Sequence, residues 1–596
     1  MNSKTTIIKF VILYFIVRLF SYFFSPVTPL IAQHPINTII SVLIFILSTY
    51  WIIKKDERGW YIIAGEIIFG GSGGYLKLDF ISLRSALLFS STIIFFIQKI
   101  YLEKNNFFKQ FDLKNYLIFT LIGAAGVAAL RGLYIGHASL AIFSDFIPYL
   151  FLLYYFPLRE LWLSDRFRML GTQAIIATIF GNTLMILLTQ IGLSSGLIVL
   201  QDSYYHWYRD VALGKITELN FHFYRLVLNE HLLLIPITIY FIGNTIKNKI
   251  TKQNILVLSS LLFLLASNLT RAYMLALAIG ILFLFSKIQW KKWLTVSCAV
   301  VIGFVLIFVT THTIASRSKS LGLEIFGVRL QSIVSPQIEE SSLSRLLLLP
   351  KIMEKINLHP ILGSGLGDTV TVYSPIFKTD ITTPHFDWGY HEINVETGVV
   401  GTLSWIGMIL FTFYYINKTK DGYNKNIFRA ILITILVINI TSPALFHVFG
   451  ILLLIFILSP TGIIYRHSAG GIVIDKIGRI ILVSNKDPNW WTPPKGGIEI
   501  GEDDLTAARR EIFEETGLTK IEYIKDLGSI NRVLWHNGVF NFKKITLFLF
   551  KTEETKLKPE DLDNRQAKWF TYEESLEIIK SKEIKDFLIE KKHDLI

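Results

Sequence analysis

The chain has 596 residues, 52% of them hydrophobic, and a mean hydropathy of +0.47, which excludes a wholly soluble globular protein. Lysine and arginine outnumber the acids 59 to 46, a net charge of +13, yet no basic–aromatic stripe accompanies the excess, so nucleic acid is not an expected partner. The lone cysteine, Cys298, excludes an intrachain disulfide and a cysteine metal cluster.

In chain order, long uncharged runs recur from Ile7 to Ser459. At roughly 20 residues per crossing they predict about fourteen spans, near 7–24, 38–53, 60–72, 81–98, 116–132, 138–156, 171–192, 231–246, 254–270, 272–286, 293–311, 398–417, 428–442 and 444–459. Arg18 lies inside the first, which lacks a small-residue cleavage site and reads as a retained anchor. Glu66 and Arg84 lie in apolar stretches and are expected to pair or to line a cavity. Cations crowd alternate short loops (Lys54 to Arg58, Lys99 to Lys114, Arg159 to Arg168, Lys247 to Lys252, Lys287 to Lys292, Lys418 to Arg429), whereas the intervening ones hold almost none beyond Lys77. The bias predicts an integral membrane protein of a bacterial inner membrane with both termini cytoplasmic and outward loops near 193–230 and 312–397. Residues 1–460 then form a polytopic α-helical membrane domain, and 461–596 a cytoplasmic tail.

The outward loops carry the first chemistry. His359-Pro360-Ile361-Leu362-Gly363-Ser364-Gly365-Leu366-Gly367 precedes His391-Glu392-Ile393-Asn394-Val395-Glu396-Thr397-Gly398-Val399-Val400-Gly401, and Ser267-Asn268-Leu269-Thr270-Arg271 closes an earlier span. These segments resemble the H-P-x-x-G-x-G-x-G, H-N-x-x-L-x-x-x-x-E-x-G-x-x-G and T-x-S-R stretches of the O-antigen ligase and polymerase superfamily, with Glu392 where that family usually has asparagine. The charge bias places Arg271, Arg345 and His391 on one outward side. The resemblance implies transfer of a polyprenyl diphosphate-linked saccharide without a metal: Arg271 and Arg345 clamp the diphosphate, and His391 removes the acceptor proton.

Beyond Pro460 alternation replaces the apolar runs. Ala469–Ile474, Arg479–Ser484 and Lys544–Phe550 are predicted strands, and Tyr572–Lys591 is predicted largely helical. Between them, Gly496, Glu502, Arg510, Glu511, Glu514, Glu515 and Gly517 fit G-x5-E-x7-R-E-U-x-E-E-x-G-U, where U is aliphatic. Glu511, Glu514 and Glu515 fall on one helix face, and three carboxylates so close call for a hard cation, Mg²⁺ or Mn²⁺. Arg510 is placed to pair with Glu514 one turn on.

This pattern is the signature of the Nudix hydrolases. The Trp491-Thr492-Pro493-Pro494-Lys495-Gly496 run resembles the asymmetric diadenosine tetraphosphate hydrolases, and also related enzymes acting on diphosphoinositol phosphates and RNA 5′ ends. The resemblance implies an α/β/α Nudix sandwich, a metal held by Glu511, Glu514, Glu515 and a backbone carbonyl near Gly496, and Lys495 on a substrate phosphate. A base for the attacking water is sought among Glu502, Glu514, Glu515 and an acid near Asp563. Ala567 replaces an aromatic that stacks on adenine. The expected substrate is a nucleoside polyphosphate such as diadenosine tetraphosphate, with a capped RNA end left open. The rival reading is a nucleotide-sensing tail on a membrane transporter or flippase; charges at mid-membrane would favour it, whereas a site gathered in the outward loops favours transfer.

Overall fold

The computed structural model describes residues 3–24, 35–79, 81–103, 111–162, 164–197, 202–335, 340–374, 379–384, 386–420, 422–459, 463–484, 490–498, 502–536, 539–559 and 566–595. They fall into two compact units, Met1–Ser459 and Pro460–Ile596.

In the first unit, eight helices among the described residues are long and apolar enough to cross a membrane: Lys4–Phe24, Pro35–Ile53, Leu83–Tyr101, Leu113–Ile135, Ser139–Leu161, Arg166–Ser195, Trp290–Ala315 and Gly389–Thr419. The other expected segments coincide with Glu57–Phe69, Leu234–Lys247, Lys252–Asn268, Arg271–Phe283, Asn424–Ile438 and Val448–Leu458. These have 11 to 17 residues, short of the roughly 20 that a perpendicular crossing requires. Trp290–Ala315 shows why the long helices suit lipid: it buries Val300, Phe304 and Phe308 while leaving Val301, Ile302 and Leu306 more than half exposed, apolar on every side.

The two long loops expected to face outward contain regular structure. Lys215–Glu218 pairs antiparallel with Tyr224–Val227, and Val370–Ser374 with Thr379–Thr383. The 359–367 glycine segment is a packed wedge. Gly363, Gly365 and Gly367 all have positive φ, and a Cβ on Gly365 would stand 2.4 Å from the Gly132 nitrogen. Ser364 N donates to Val395 O and Leu366 N to Ala128 O, so the turn sits between the helices Leu113–Ile135 and Gly389–Thr419. Buried Arg84 and Glu66 do pair, at 2.8 Å.

The second unit is a seven-stranded mixed sheet. Its main order is Ile521–His536, Val539–Thr552, Ile463–Ile474, Ile480–Ser484, Gln566–Phe570, with Trp491–Thr492 and Lys495–Gly497 added at the side. The pair Ile463–Ile474 and Val539–Thr552 is parallel; the others are antiparallel. Period-two alternation sends Val473, Ile481, Phe548 and Phe550 to one face, against Ala507, Ala508 and Ile512 of the helix Asp504–Thr516. It sends Ile472, Ile480, Leu482, Leu547 and Leu549 to the other, against Tyr572, Ile584, Phe587 and Leu588 of the C-terminal helices.

Candidate functional site

The helix Asp504–Thr516 is bounded by local chemistry. Asp503 caps it by accepting from Thr506 N at 2.8 Å, and Gly517 ends it in the left-handed region at φ 78°. A Cβ at Gly517 would meet Lys558 O at 2.1 Å, so the stop also fixes a packed contact.

Arg510 gathers the acids. Its guanidinium donates to both Glu502 oxygens at 3.0 Å, to Glu511 at 2.8 Å, to Glu514 at 3.3 Å and to Gly497 O at 2.7 Å. Those bonds, Glu502's first, raise the arginine's own ionisation above its ordinary range. Glu515, 4% exposed, accepts instead from Lys495 N at 2.9 Å. A Cβ on Gly496 would stand 1.9 Å from a Glu511 oxygen, so only glycine leaves room for that carboxylate. Arg510 thus pairs with Glu514 as the spacing predicts and also holds Glu502 and Glu511. Lys495 Nζ turns to Thr492 Oγ1 at 2.6 Å and Pro493 O. Trp491 is core, edge-on to Phe570. Asp563 lies outside the described residues.

Among the described residues no three His, Cys, Asp or Glu side chains already stand as an ion-binding group, because Arg510 bridges Glu502, Glu511 and Glu514 while Glu515 faces the Lys495 amide. The donors nevertheless fit a hard divalent ion: they are all oxygens, carried on one helix face, and the missing Cβ of Gly496 opens the backbone to them.

In the membrane unit, Arg345 and His391 come together through two intervening residues. Arg345 Nε lies 3.5 Å from Asp387, its carbonyl accepts from Trp388 Nε1 at 3.0 Å, and the Trp388 ring meets His391 edge-on at 5.9 Å. Asp387 itself has φ 56°, a strained position for a non-glycine at the mouth of a helix. Arg271 opens the helix Arg271–Phe283 directly after Thr270, and Arg225 grips that junction by donating to Asn268 O at 2.7 Å and Thr270 Oγ1 at 3.0 Å. Lys215 joins the two groups electrostatically: partial burial, then the charges of Arg225, Arg345 and Arg329, lower its ionisation, and Asp387 opposes them. No motif flagged Lys215, Arg225 or Asp387. The available signal was that Lys215 and Arg225 are cations in a loop expected to face outward, against the lysine and arginine bias of the other loops.

Comparison with known proteins finds a family match in each unit. The NUDIX domain family profile matches residues 464–590, and the O-Antigen ligase profile matches 255–406. The chain is 31% identical over 120 residues to the asymmetrical bis(5′-nucleosyl)-tetraphosphatase of Caenorhabditis elegans, which is 20% of this chain and 80% of that protein. It is 27% identical over 128 residues to the RNA pyrophosphohydrolase of Pelagibacter ubique, 19% of this chain and 81% of that one. Of the RNA pyrophosphohydrolases of Haemophilus ducreyi and Actinobacillus pleuropneumoniae it spans less than half the length. A solved C. elegans Ap4A hydrolase binary complex aligns at 25% identity over 22% of this chain and 97% of its own, with TM-score 0.19. Through its C-terminal domain the chain belongs to the Nudix hydrolases, a family that generally uses a divalent metal such as Mg²⁺; its membrane unit carries an O-antigen ligase domain, and the polypeptide is a bifunctional enzyme fusion.

Proposed function

We propose that the C-terminal domain is a Mg²⁺- or Mn²⁺-dependent pyrophosphohydrolase of a nucleoside polyphosphate such as diadenosine tetraphosphate. The convergence of Glu502, Glu511 and Glu514 on Arg510, beside a glycine that only an absent Cβ explains, carries this reading. Glu511, Glu514, Glu515 and the Gly496 carbonyl would hold the ion, which when bound supplies charge neutralisation on the diphosphate and acidifies a water. Arg510 orients the acids. Glu514, whose side chain is 41% exposed and whose two bonds from Arg510 are the longer ones at 3.3 and 3.4 Å, is the best placed of them to take a water proton, whereas Glu502 is held at 3.0 Å through both oxygens and Glu515 is buried. Lys495 would release its turn contacts to meet a substrate phosphate as a point charge. Glu514→Gln should lower kcat by about 10²-fold or more without loss of fold, and EDTA should abolish turnover. Full activity in either case overturns the reading. A second substrate, a 5′-phosphorylated RNA end, is favoured by the names of several relatives. A higher kcat/KM on 5′-triphosphate RNA than on diadenosine tetraphosphate decides for it.

The membrane unit, on this proposal, transfers a polyprenyl diphosphate-linked saccharide at the outer face of an inner membrane, with both termini cytoplasmic. Two groups support it, Arg345 with Asp387, Trp388 and His391, and the Arg225-held start of the Arg271 helix, with Lys215 within electrostatic reach of Arg225, Arg345 and Asp387. Arg271 and Arg345, joined by Arg225, neutralise the diphosphate leaving group, and His391 takes the acceptor hydroxyl proton. In a deletion strain complemented with His391→Ala or Arg271→Lys, surface glycan should fall severely at unchanged protein level, because an ammonium cannot reproduce the guanidinium fork. Wild-type glycan from both variants would favour the transporter reading.

A further inference from the structure

The loop between the helices Arg271–Phe283 and Trp290–Ala315 has no role in either reaction, yet it opens a surface cleft of about 390 Å³. Ordinary ligand clefts run from roughly 300 to 1,000 Å³. Its lining is Lys287, Ile288, Gln289, Trp290, Lys291 and Lys292, so cations make up half of it and no acid is present. Ile288 is 94% exposed and Trp290 49%, which sets an aliphatic side chain and an indole ring beside the ammonium groups. Lys291 Nζ lies 5.8 Å from the centre of the Trp290 ring.

The backbone that carries these lysines is fastened from several sides. Trp293 Nε1 donates to Ile281 O at 2.8 Å, tying the two helices together, and its ring meets Phe285 edge-on at 5.2 Å. Tyr423 OH donates to Leu284 O at 2.6 Å, and Asn426 Nδ2 to Phe285 O at 2.9 Å. Gln289 N closes a turn onto Ser286 O at 3.1 Å. The concentration of charge is therefore built in before any ligand arrives, which lowers the ordering cost of binding. Gln289 places no side-chain cap on Trp290–Ala315, so the positive end of that helix adds to the lysines.

Three cations without a counter-charge attract an anion, and the position of the cleft selects which one. It lies at the first turn of a helix long and apolar enough to cross a membrane, hence at a bilayer surface. A soluble phosphate would meet the lysines but leave Ile288 and Trp290 in water. A lipid phosphate meets the lysines while its glycerol and upper acyl carbons cover both apolar side chains. The loop is also one of the cation-rich loops expected on the cytoplasmic side, away from the loops in which the polyprenyl-linked donor is proposed to react.

We propose that this cleft binds the headgroup of an anionic glycerophospholipid, with Lys287, Lys291 and Lys292 on its phosphate and Ile288 and Trp290 against its glycerol and acyl carbons. The site is independent of both the hydrolase and the transferase readings. The test titrates the delipidated full chain in detergent with phosphatidylglycerol or phosphatidylcholine and counts bound lipid by native mass spectrometry. Wild-type protein should retain phosphatidylglycerol in preference to phosphatidylcholine. Lys287→Gln, Lys291→Gln and Lys292→Gln should each weaken that binding about fivefold, and the triple variant should lose the preference altogether. All three side chains are exposed, so the melting temperature should hold. A control triple, Lys9→Gln with Lys54→Gln and Lys55→Gln, removes the same charge from exposed positions elsewhere and should bind phosphatidylglycerol as wild type does. The site is overturned if wild-type protein shows no preference, if the cleft triple binds like wild type, or if the control triple loses as much. Inorganic phosphate competing as well as the lipid does, or undecaprenyl phosphate retained more tightly than phosphatidylglycerol, overturns it too, because the occupant is then not a glycerophospholipid.

Discussion

At the scale of single residues, the hydrolase site depends on one missing atom. Gly496 has no Cβ, and the space where one would stand is filled by the Glu511 carboxylate at 1.9 Å. Gly496→Ala must therefore push Glu511 away from Arg510 and from any bound ion. Displacing a positioned group by about 1 Å costs on the order of 10²-fold in rate, so kcat/KM should drop by about that factor while circular dichroism stays native. An alanine variant with wild-type turnover would show that Glu511 is not held against the strand. The spacing in the sequence identified both residues, but the contact between them is a product of folding: Lys495–Gly497 pairs with Ile463–Ile474, the strand against which the carboxylate helix packs.

Among elements, the helix Asp504–Thr516 and the glycine wedge make separate predictions. Asp503 accepts hydrogen bonds from Thr506 N and Thr506 Oγ1, and those bonds hold its carboxyl below the usual aspartate range. A carboxyl lowered in the folded state stabilises fully above its unfolded pKa of about 3.9, and that contribution disappears as pH falls through the folded value. Asp503→Ala should thus melt roughly 5 °C lower than wild type near pH 6, with the gap narrowing as pH falls below about 3.9. In the membrane unit, Gly365→Ala meets both a left-handed backbone and the Gly132 nitrogen. It should destabilise by about 2–5 kcal/mol, read as a lower unfolding temperature in detergent. Four sheet strands escaped the alternation pattern, and two of them, Trp491–Thr492 and Lys495–Gly497, have only two and three residues. Ile521–His536 carries register shifts at Tyr523/Lys525 and Asp526/Gly528, which break the period of two just where it would be read. Gln566–Phe570 buries none of its five residues fully, so no continuous apolar run marks it as Ile480–Ser484 is marked.

For the whole molecule, two predictions concern the separation of its parts. Each face of the C-terminal sheet has its own buried cluster, and the unit Pro460–Ile596 is compact by itself. Expressed alone, 460–596 should unfold in a single cooperative transition and retain metal-dependent hydrolysis; a broad, non-cooperative melt would show that it needs the membrane unit. The lysine and arginine bias predicts a cytoplasmic tail. A phosphatase fused after Ile596, active only outside the cytoplasm, should be silent, and a green fluorescent fusion should shine. The reverse pattern would move His391 and Arg271 to the inner face and remove the basis for outer-face transfer.

The sequence by itself determined what is local or periodic: the apolar runs of the membrane unit, the helix-spaced acids with their bounding glycines, and the motif segments of both families. Those signals survive because each depends on neighbours within a turn or two, where propensity and spacing act without help from the fold. Tertiary structure alone decided which distant residues meet. Arg225 reaches Thr270 across 45 positions, Arg345 reaches Asp387 across 42, and Arg18 finds Glu230 across 212. No periodicity encodes such meetings, since they follow from how helices and loop hairpins pack once buried charges must find partners.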